Sequence, residues 1–159
     1  MIILTLDLGS NVGWALYNAD NEQVISSNTQ KFKAGKFDSP NKRWHDFGIW
    51  LKEIKQQYGE INSVYFEQVD FLSSRSTAWP HFYGGLLAKL FDFCEHHNIM
   101  YSGVSVGTIK KHITGKGNAG KEQVIAAIRA LGHAPCDDNE ADALALMHYA
   151  LDQEELLVI

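Results

Sequence analysis

Residues 2–18, IILTLDLGSNVGWALYN, open the chain and decide how the rest of it is read. The run from Ile2 to Leu8 is apolar except for Thr5 and Asp7, and Ile2, Ile3 and Thr5 are β-branched, the composition of a buried strand. Gly9 and Gly13 then punctuate a turn, and GWALYN, 13–18, reads as a second strand. Residues 18–21, NADN, form a hairpin turn ahead of a third, more polar strand, QVISSNTQKF, at 23–32. The chain therefore begins with a three-stranded meander.

Working outward, a loop with Pro40 precedes a helix over about 42–58, whose Trp44, Phe47, Leu51, Ile54 and Tyr58 step by three and four along one face. NSVYFEQV, 62–69, is a short buried strand with Glu67 near its end. From Thr77 to His97 the helical spacing returns in Trp79, Phe82, Leu86, Leu90, Phe93 and His97. IMYSGVSV, 99–106, is a fifth strand. A short helix around Ile109, the loop TGKGNAGK, a helix ending at Leu131 with Gly132 as its stop, and a closing helix complete the chain. The prediction is an α/β fold: a five-stranded mixed sheet, three strands in a meander plus two more, flanked by helices.

A length of 159 residues suits one domain, 1–159, with a single sizeable core. With 45% hydrophobic and 21% charged residues the chain reads as soluble and globular. No apolar run is long enough to span a bilayer and the start lacks signal-peptide features, so no membrane role is expected. Cys94 and Cys136 show no disulfide or zinc spacing, which fits a reducing, cytoplasmic compartment. A net charge of −5 argues mildly against a protein that simply coats nucleic acid. The one basic concentration is Lys110, Lys111, His112, Lys116 and Lys121.

Acids in apolar surroundings carry the functional signal. In DDNEADALALMHYA, 137–150, Asp137 as N-cap with Glu140 three residues on forms a capping pair, and acids suit the positive end of a helix. That accounts for Asp137, Glu140 and adequately for Asp138. Asp142 lies beyond the first turn in a helix apolar nearly all round, where an ionised carboxylate is costly unless paired or bound to a metal. Asp138 and Asn139 project toward its face. Asp7 ends an apolar strand; its alternative is a turn-starting Asp bonded to backbone near Gly9. Glu67 sits in an apolar strand; its alternative is an edge strand with one face in water. Together the three suggest one purpose. Clustered carboxylates repel unless cations occupy the site, and hard oxygen ligands favour Mg²⁺ or Mn²⁺. Two such ions, roughly 3.5–4 Å apart, would clamp the two oxygens of a phosphodiester displacement.

The motifs LTLDLGSNVGWAL, VYFEQV, IKKHITGKGNAGKEQV and DNEADALALMHYA occur in order over nearly the whole chain. In this combination the chain resembles the RuvC-type Holliday junction resolvases of the ribonuclease H-like superfamily, most of all the compact bacteriophage members. The resemblance implies a ribonuclease H-like fold and an endonuclease that resolves four-way DNA junctions with two Mg²⁺ ions per site, Mn²⁺ substituting. It matches Asp7 to the first-strand metal carboxylate, Glu67 to the acid ending the fourth strand and Asp142 to the last acid on the closing helix. The family's further ligand falls at Asn139, with Asp138 adjacent. Lys110 and Lys121 match basic residues near the scissile phosphate, which gives Lys121 a catalytic role. Lys111 and Lys116 are further DNA-binding candidates, with a solvated surface as the alternative. An aromatic wedge belongs three residues after Glu67, where this chain has Asp70 with Phe71 beside it. Symmetric cutting implies a homodimer.

Competing readings are set by particular residues. GKGNAGKE matches most of a P-loop, but Glu122 replaces the Ser or Thr after Lys121 and IKKHIT looks helical, so no nucleotide cofactor is expected. DLGSNVGWA resembles the phosphate hairpin of actin-like kinases, which need two such domains. A nuclease of RNA or RNA–DNA hybrids, and a junction-binding protein with an impaired site, stay open.

Overall fold

Alternation along the first strand fixes which layer each side chain joins. The computed structural model describes residues 1–39, 41–69 and 78–157, and places β1 at Ile2–Asp7. Strand side chains point to opposite faces in turn, so Ile3, Thr5 and Asp7 share one face and Leu4 and Leu6 the other. All four residues from Ile3 to Leu6 are fully buried. Both faces are covered, which is why the run is apolar throughout instead of alternating with polar residues.

β1 pairs antiparallel with β2 (Asn11–Asn18), and β2 pairs antiparallel with β3 (Gln23–Lys31), the predicted meander. On its other side β1 takes β4 (Ser63–Gln68) in parallel, and β4 takes β5 (Met100–Ser105) in parallel. The order β3-β2-β1-β4-β5 makes a five-stranded mixed sheet. β4 is thus an inner strand, and the edge-strand reading of Glu67 is overturned.

Two helices cover the face that carries Leu4 and Leu6. From α1 (Lys42–Tyr58) and α2 (Ala78–His97), Phe47, Leu51, Phe82, Leu86 and Leu90 pack with Leu16, Val64 and Phe66. Thr77, where the spacing begins the second helix, lies outside the described residues. The opposite face is covered by α3 (Val106–Thr114), α4 (Lys121–Ala130) and α5 (Asp138–Leu157). There Ile109, Val124, Ile128 and Leu144 pack on Ile3, Ala15, Tyr65 and Val104. The segment IKKHIT is helical, as the case against a P-loop required. Gly132 follows α4 with φ 92, a left-handed stop of the expected kind.

α5 lies against the sheet at very close range. Ala141, Ala143, Ala145 and Ala150 are fully buried, as are Leu144, Leu146 and Met147 within 1%, so the closing helix is enclosed as its all-round apolar sequence predicts. At Gly13 the approach is so tight that a Cβ would fall 1.9 Å from the Asn139 carbonyl oxygen. Only glycine fits at that crossing.

Candidate active site

Register brings the two strand acids together. β1 and β4 run parallel with Leu6 opposite Phe66, so the next residues along, Asp7 and Glu67, stand side by side on strands about 4.8 Å apart. Both face the α3–α5 layer. Tyr83 on α2 steadies this end of β4 from the other layer: its hydroxyl donates to the Glu67 carbonyl at 2.6 Å and accepts the Val69 N–H at 3.4 Å.

The first turn of α5 divides its acids between structure and charge. Asp137 caps the helix, accepting the Glu140 N–H at 3.0 Å and the Thr29 hydroxyl at 2.5 Å. Burial alone would raise its carboxyl, but those donors outweigh burial and hold it below the usual range. Glu140 reaches back to the Cys136 N–H at 2.7 Å and accepts the Ser27 hydroxyl at 2.6 Å. This is the predicted capping pair, with the return bond landing one residue ahead of the cap. Asp138 and Asp142, four apart, lie on one face of the helix. Asp138 forms an ion pair with Lys121 at the start of α4. One residue past Asp142, the Ala143 carbonyl accepts the buried Thr5 hydroxyl at 2.8 Å, tying α5 to β1 two residues before Asp7.

These contacts assemble one electrostatic unit. Asp7, Glu67 and Asp142 are each half-buried, crowded by protein yet open to solvent. Burial pushes Asp7 well above the usual carboxylate range, and Glu67, Asp142 and Asp138 add to it while Lys121 opposes. Glu67 is pushed up to about 7 by burial and then by Asp142, with Lys110 opposing. Asp142 is pushed up to about 6, again chiefly by burial, with Asp138 adding and Lys110 and Lys121 opposing. Charge thus links Asp7 with Glu67, Asp142, Asp138 and Lys121, and Lys110 with Glu67 and Asp142.

The other predicted residues fare differently. Asn139 is engaged with the Asp137 side chain through a hydrogen bond. Lys111 and Lys116 are exposed and are not among the charges that chiefly act on the acids. Phe71 and its neighbour Asp70 lie outside the described residues. Gly13, Thr5 and Tyr83 were missed as positioning residues. A threonine inside an apolar run was the one signal for Thr5, and a glycine inside a strand was the signal for Gly13.

An all-oxygen donor set fits a hard divalent cation, and carboxyls raised by burial and by one another are what such a cation would relieve. Among the described residues no three His, Cys, Asp or Glu side chains converge closely enough to hold a metal as they stand, and Asp138 is drawn to Lys121. A groove of about 590 Å³ between α1 and α2, lined by Lys52, Lys55 and Lys89, lies on the far side of the sheet and includes none of these acids. Among the described residues no helix is long and apolar enough to cross a membrane.

No family profile matches the chain, and no curated protein matches it by sequence. Solved structures do. The RuvC of Thermus thermophilus superposes with a TM-score of 0.73 at 19% identity, over 92% of this chain and 90% of that one. The same protein in complex with a Holliday junction substrate gives 0.74, again at 19% identity over 92% and 90% of the two chains. Ydc2, the yeast mitochondrial Holliday junction resolvase, gives 0.51 at 14% identity, over 91% of this chain and 75% of its own. At these identities the likeness establishes the fold alone, the α/β arrangement that this chain shares with those structures.

Proposed function

We propose that this chain, over residues 1–159, is a nuclease domain of RuvC type that cuts branched DNA, four-way junctions above all. One observation carries the reading: Asp7, Glu67, Asp138 and Asp142 form a single electrostatic unit flanked by Lys110 and Lys121, on the fold of a protein solved with a Holliday junction. Either half alone is weaker, since folds host many chemistries and acids also cap helices.

In this reading Asp7, Glu67, Asp138 and Asp142 would together hold two Mg²⁺ ions; Mn²⁺ would substitute. Bound there, the ions would supply charge stabilisation to the attacking and departing oxygens of the phosphodiester. The chain's own groups do the rest. Lys110, beside Glu67 and Asp142, offsets negative charge at the site, and Lys121 exchanges its pairing with Asp138 for a phosphate oxygen of the strand. Lys111 and Lys116 follow the backbone farther out. Asp138 is the fourth acidic ligand in preference to Asn139, because it acts on Asp7 and Asp142 while Asn139 is tied to the helix cap. Cutting two strands of a junction calls for two sites, hence a homodimer. The free thiols Cys94 and Cys136 fit work in the cytoplasm.

The test is cleavage with Mg²⁺ of a labelled four-way DNA junction beside linear duplex, a forked duplex and an RNA–DNA hybrid. Paired, symmetric nicks in the junction are expected, with the linear duplex intact. Cleavage of the hybrid in preference to the junction would give the chain to the ribonucleases. Junction binding without any cleavage would make it a binder with an impaired site.

A further inference from the structure

A second feature stands at the same end of the sheet as the acids and takes no part in the chemistry described above. β1 and β3 are both antiparallel to β2, and the pairings Asp7 with Gly13 and Asn11 with Lys31 bring β3 out of the sheet on the side where Asp7 lies. Two strand spacings, about 10 Å, separate the two strands, roughly the rise of three base pairs. The residues that follow read KFKAGKF, 31–37. Phe32 anchors them: it is buried edge-on against Phe47 and Trp50, with centroids 5.7 and 5.9 Å apart. Its N–H bonds the Ser10 carbonyl at 3.3 Å, in the turn just after Asp7.

Beyond that anchor the chain forms a closed turn with an unusual cargo. The Gly35 N–H donates to the Asp38 carboxylate at 2.8 Å, and the Asp38 N–H donates to the Gly35 carbonyl at 3.1 Å. The tip between them consists of Lys36 and Phe37. Phe37 is 95% exposed, and the Lys36 ammonium lies 5.7 Å from its ring centroid. Lys31 and Lys33 are exposed along the same strip, and two residues before Lys31 the Thr29 hydroxyl bonds Asp137, the cap of α5. The strip therefore runs from the helix that carries Asp138 and Asp142 out to an aromatic ring held in water. An apolar protein partner would be met by a ring with apolar neighbours. This ring has the Lys36 ammonium against it and Lys31 and Lys33 earlier in the same segment, the combination that suits a base and its phosphates.

We propose that residues 31–37 are a second DNA contact, in which Phe37 stacks on an unpaired base at the branch point and Lys31, Lys33 and Lys36 follow the phosphates leading to the cut. The inference rests on the branched-DNA reading above and extends it to what the enzyme recognises.

The experiment is equilibrium binding of a four-way junction and of a matched linear duplex, over a salt series, with Ca²⁺ in place of Mg²⁺. Phe37→Ala, at a site with almost no packing to lose, should weaken junction binding about tenfold and leave duplex binding unchanged. Phe37→Trp should restore it. The double variant Lys33→Ala/Lys36→Ala should reduce the slope of log affinity against log salt by about 2. Phe37→Ala binding the junction as well as the wild type, or losing junction and duplex alike, would overturn the stacking role. A wild type that binds no branched DNA would instead bring down the functional reading itself, and this inference with it.

Discussion

Asp142 stands on the second turn of a helix whose residues 143–147 are buried among apolar side chains, and burial there pushes its carboxyl up to about 6, as it pushes Glu67 up to about 7. Both groups keep their protons to higher pH in the folded chain than in the unfolded one. Between about pH 4 and 7 the folded form therefore binds more protons, and its stability falls as pH rises through that window. A cation holding the ionised carboxylates would reverse the trend. Melting curves should show a metal-free protein less stable at pH 8 than at pH 5, with added Mg²⁺ or Mn²⁺ raising the melting temperature at pH 8 and doing little at pH 5; the opposite pH trend would contradict the upward shifts that burial and the neighbouring acids produce. At this scale Asp7, Glu67 and Asp142 could be picked out as candidates, because an ionised carboxylate in an apolar run is costly unless it is paired or holds a cation. The choice between Asp138 and Asn139 was not, since one residue turns a helix by about 100° and spacing alone left both near Asp142. The ion pair of Asp138 with Lys121 and the bond from Asn139 to Asp137 give the two residues different surroundings, and the proposal takes Asp138. Asp138→Ala should lower junction cleavage at least about tenfold, roughly 1.4 kcal/mol, and Asn139→Ala by much less; equal, small effects would mean that three protein ligands suffice.

At the scale of elements, the site depends on how closely α5 lies on the sheet. Gly13, opposite Asp7 in the ladder, lets the first turn of the helix touch β2, and the Thr5 hydroxyl holds the next turn to β1. A methyl at Gly13 would have to push the Asn139 backbone away, and the acids of α5 would move with it. Gly13→Ala should cost about 1–3 kcal/mol of stability, the usual penalty for overpacking, and should depress cleavage beyond what the lost stability explains. Wild-type cleavage and an unchanged melting temperature would show that the crossing is slacker than it looks. Helix and strand positions were readable from apolar spacing, and so were the capping roles of Asp137 and Glu140. The crossing was not, because a glycine two residues after a loop reads first as part of a turn. Contact between Gly13 and Asn139 is a tertiary fact that no local pattern encodes.

For the molecule as a whole, the sheet separates two helical layers, and the acids belong to the side covered by α3, α4 and α5. That both faces are covered follows from the apolar strands. The place of β4 beside β1, which makes Glu67 a neighbour of Asp7, does not follow, and an edge position for Glu67 was open until the pairing was known. The basic strip at 31–37 is not legible in sequence for a related reason: QKF reads as the end of a strand and the rest as a loop, and only the fold sets it at the sheet end that carries Asp7. The central claim is that the acids at that end act together to cut DNA. Its most direct test is single-turnover cleavage of a four-way junction by the wild type and by Asp7→Asn, protein in excess and Mg²⁺ present, with junction affinity measured alongside. Asp7→Asn should cut about 10³-fold more slowly or worse, roughly 4 kcal/mol of lost transition-state stabilisation, while binding the junction at least as tightly because a negative charge is gone. Cleavage by Asp7→Asn at the wild-type rate would contradict that claim.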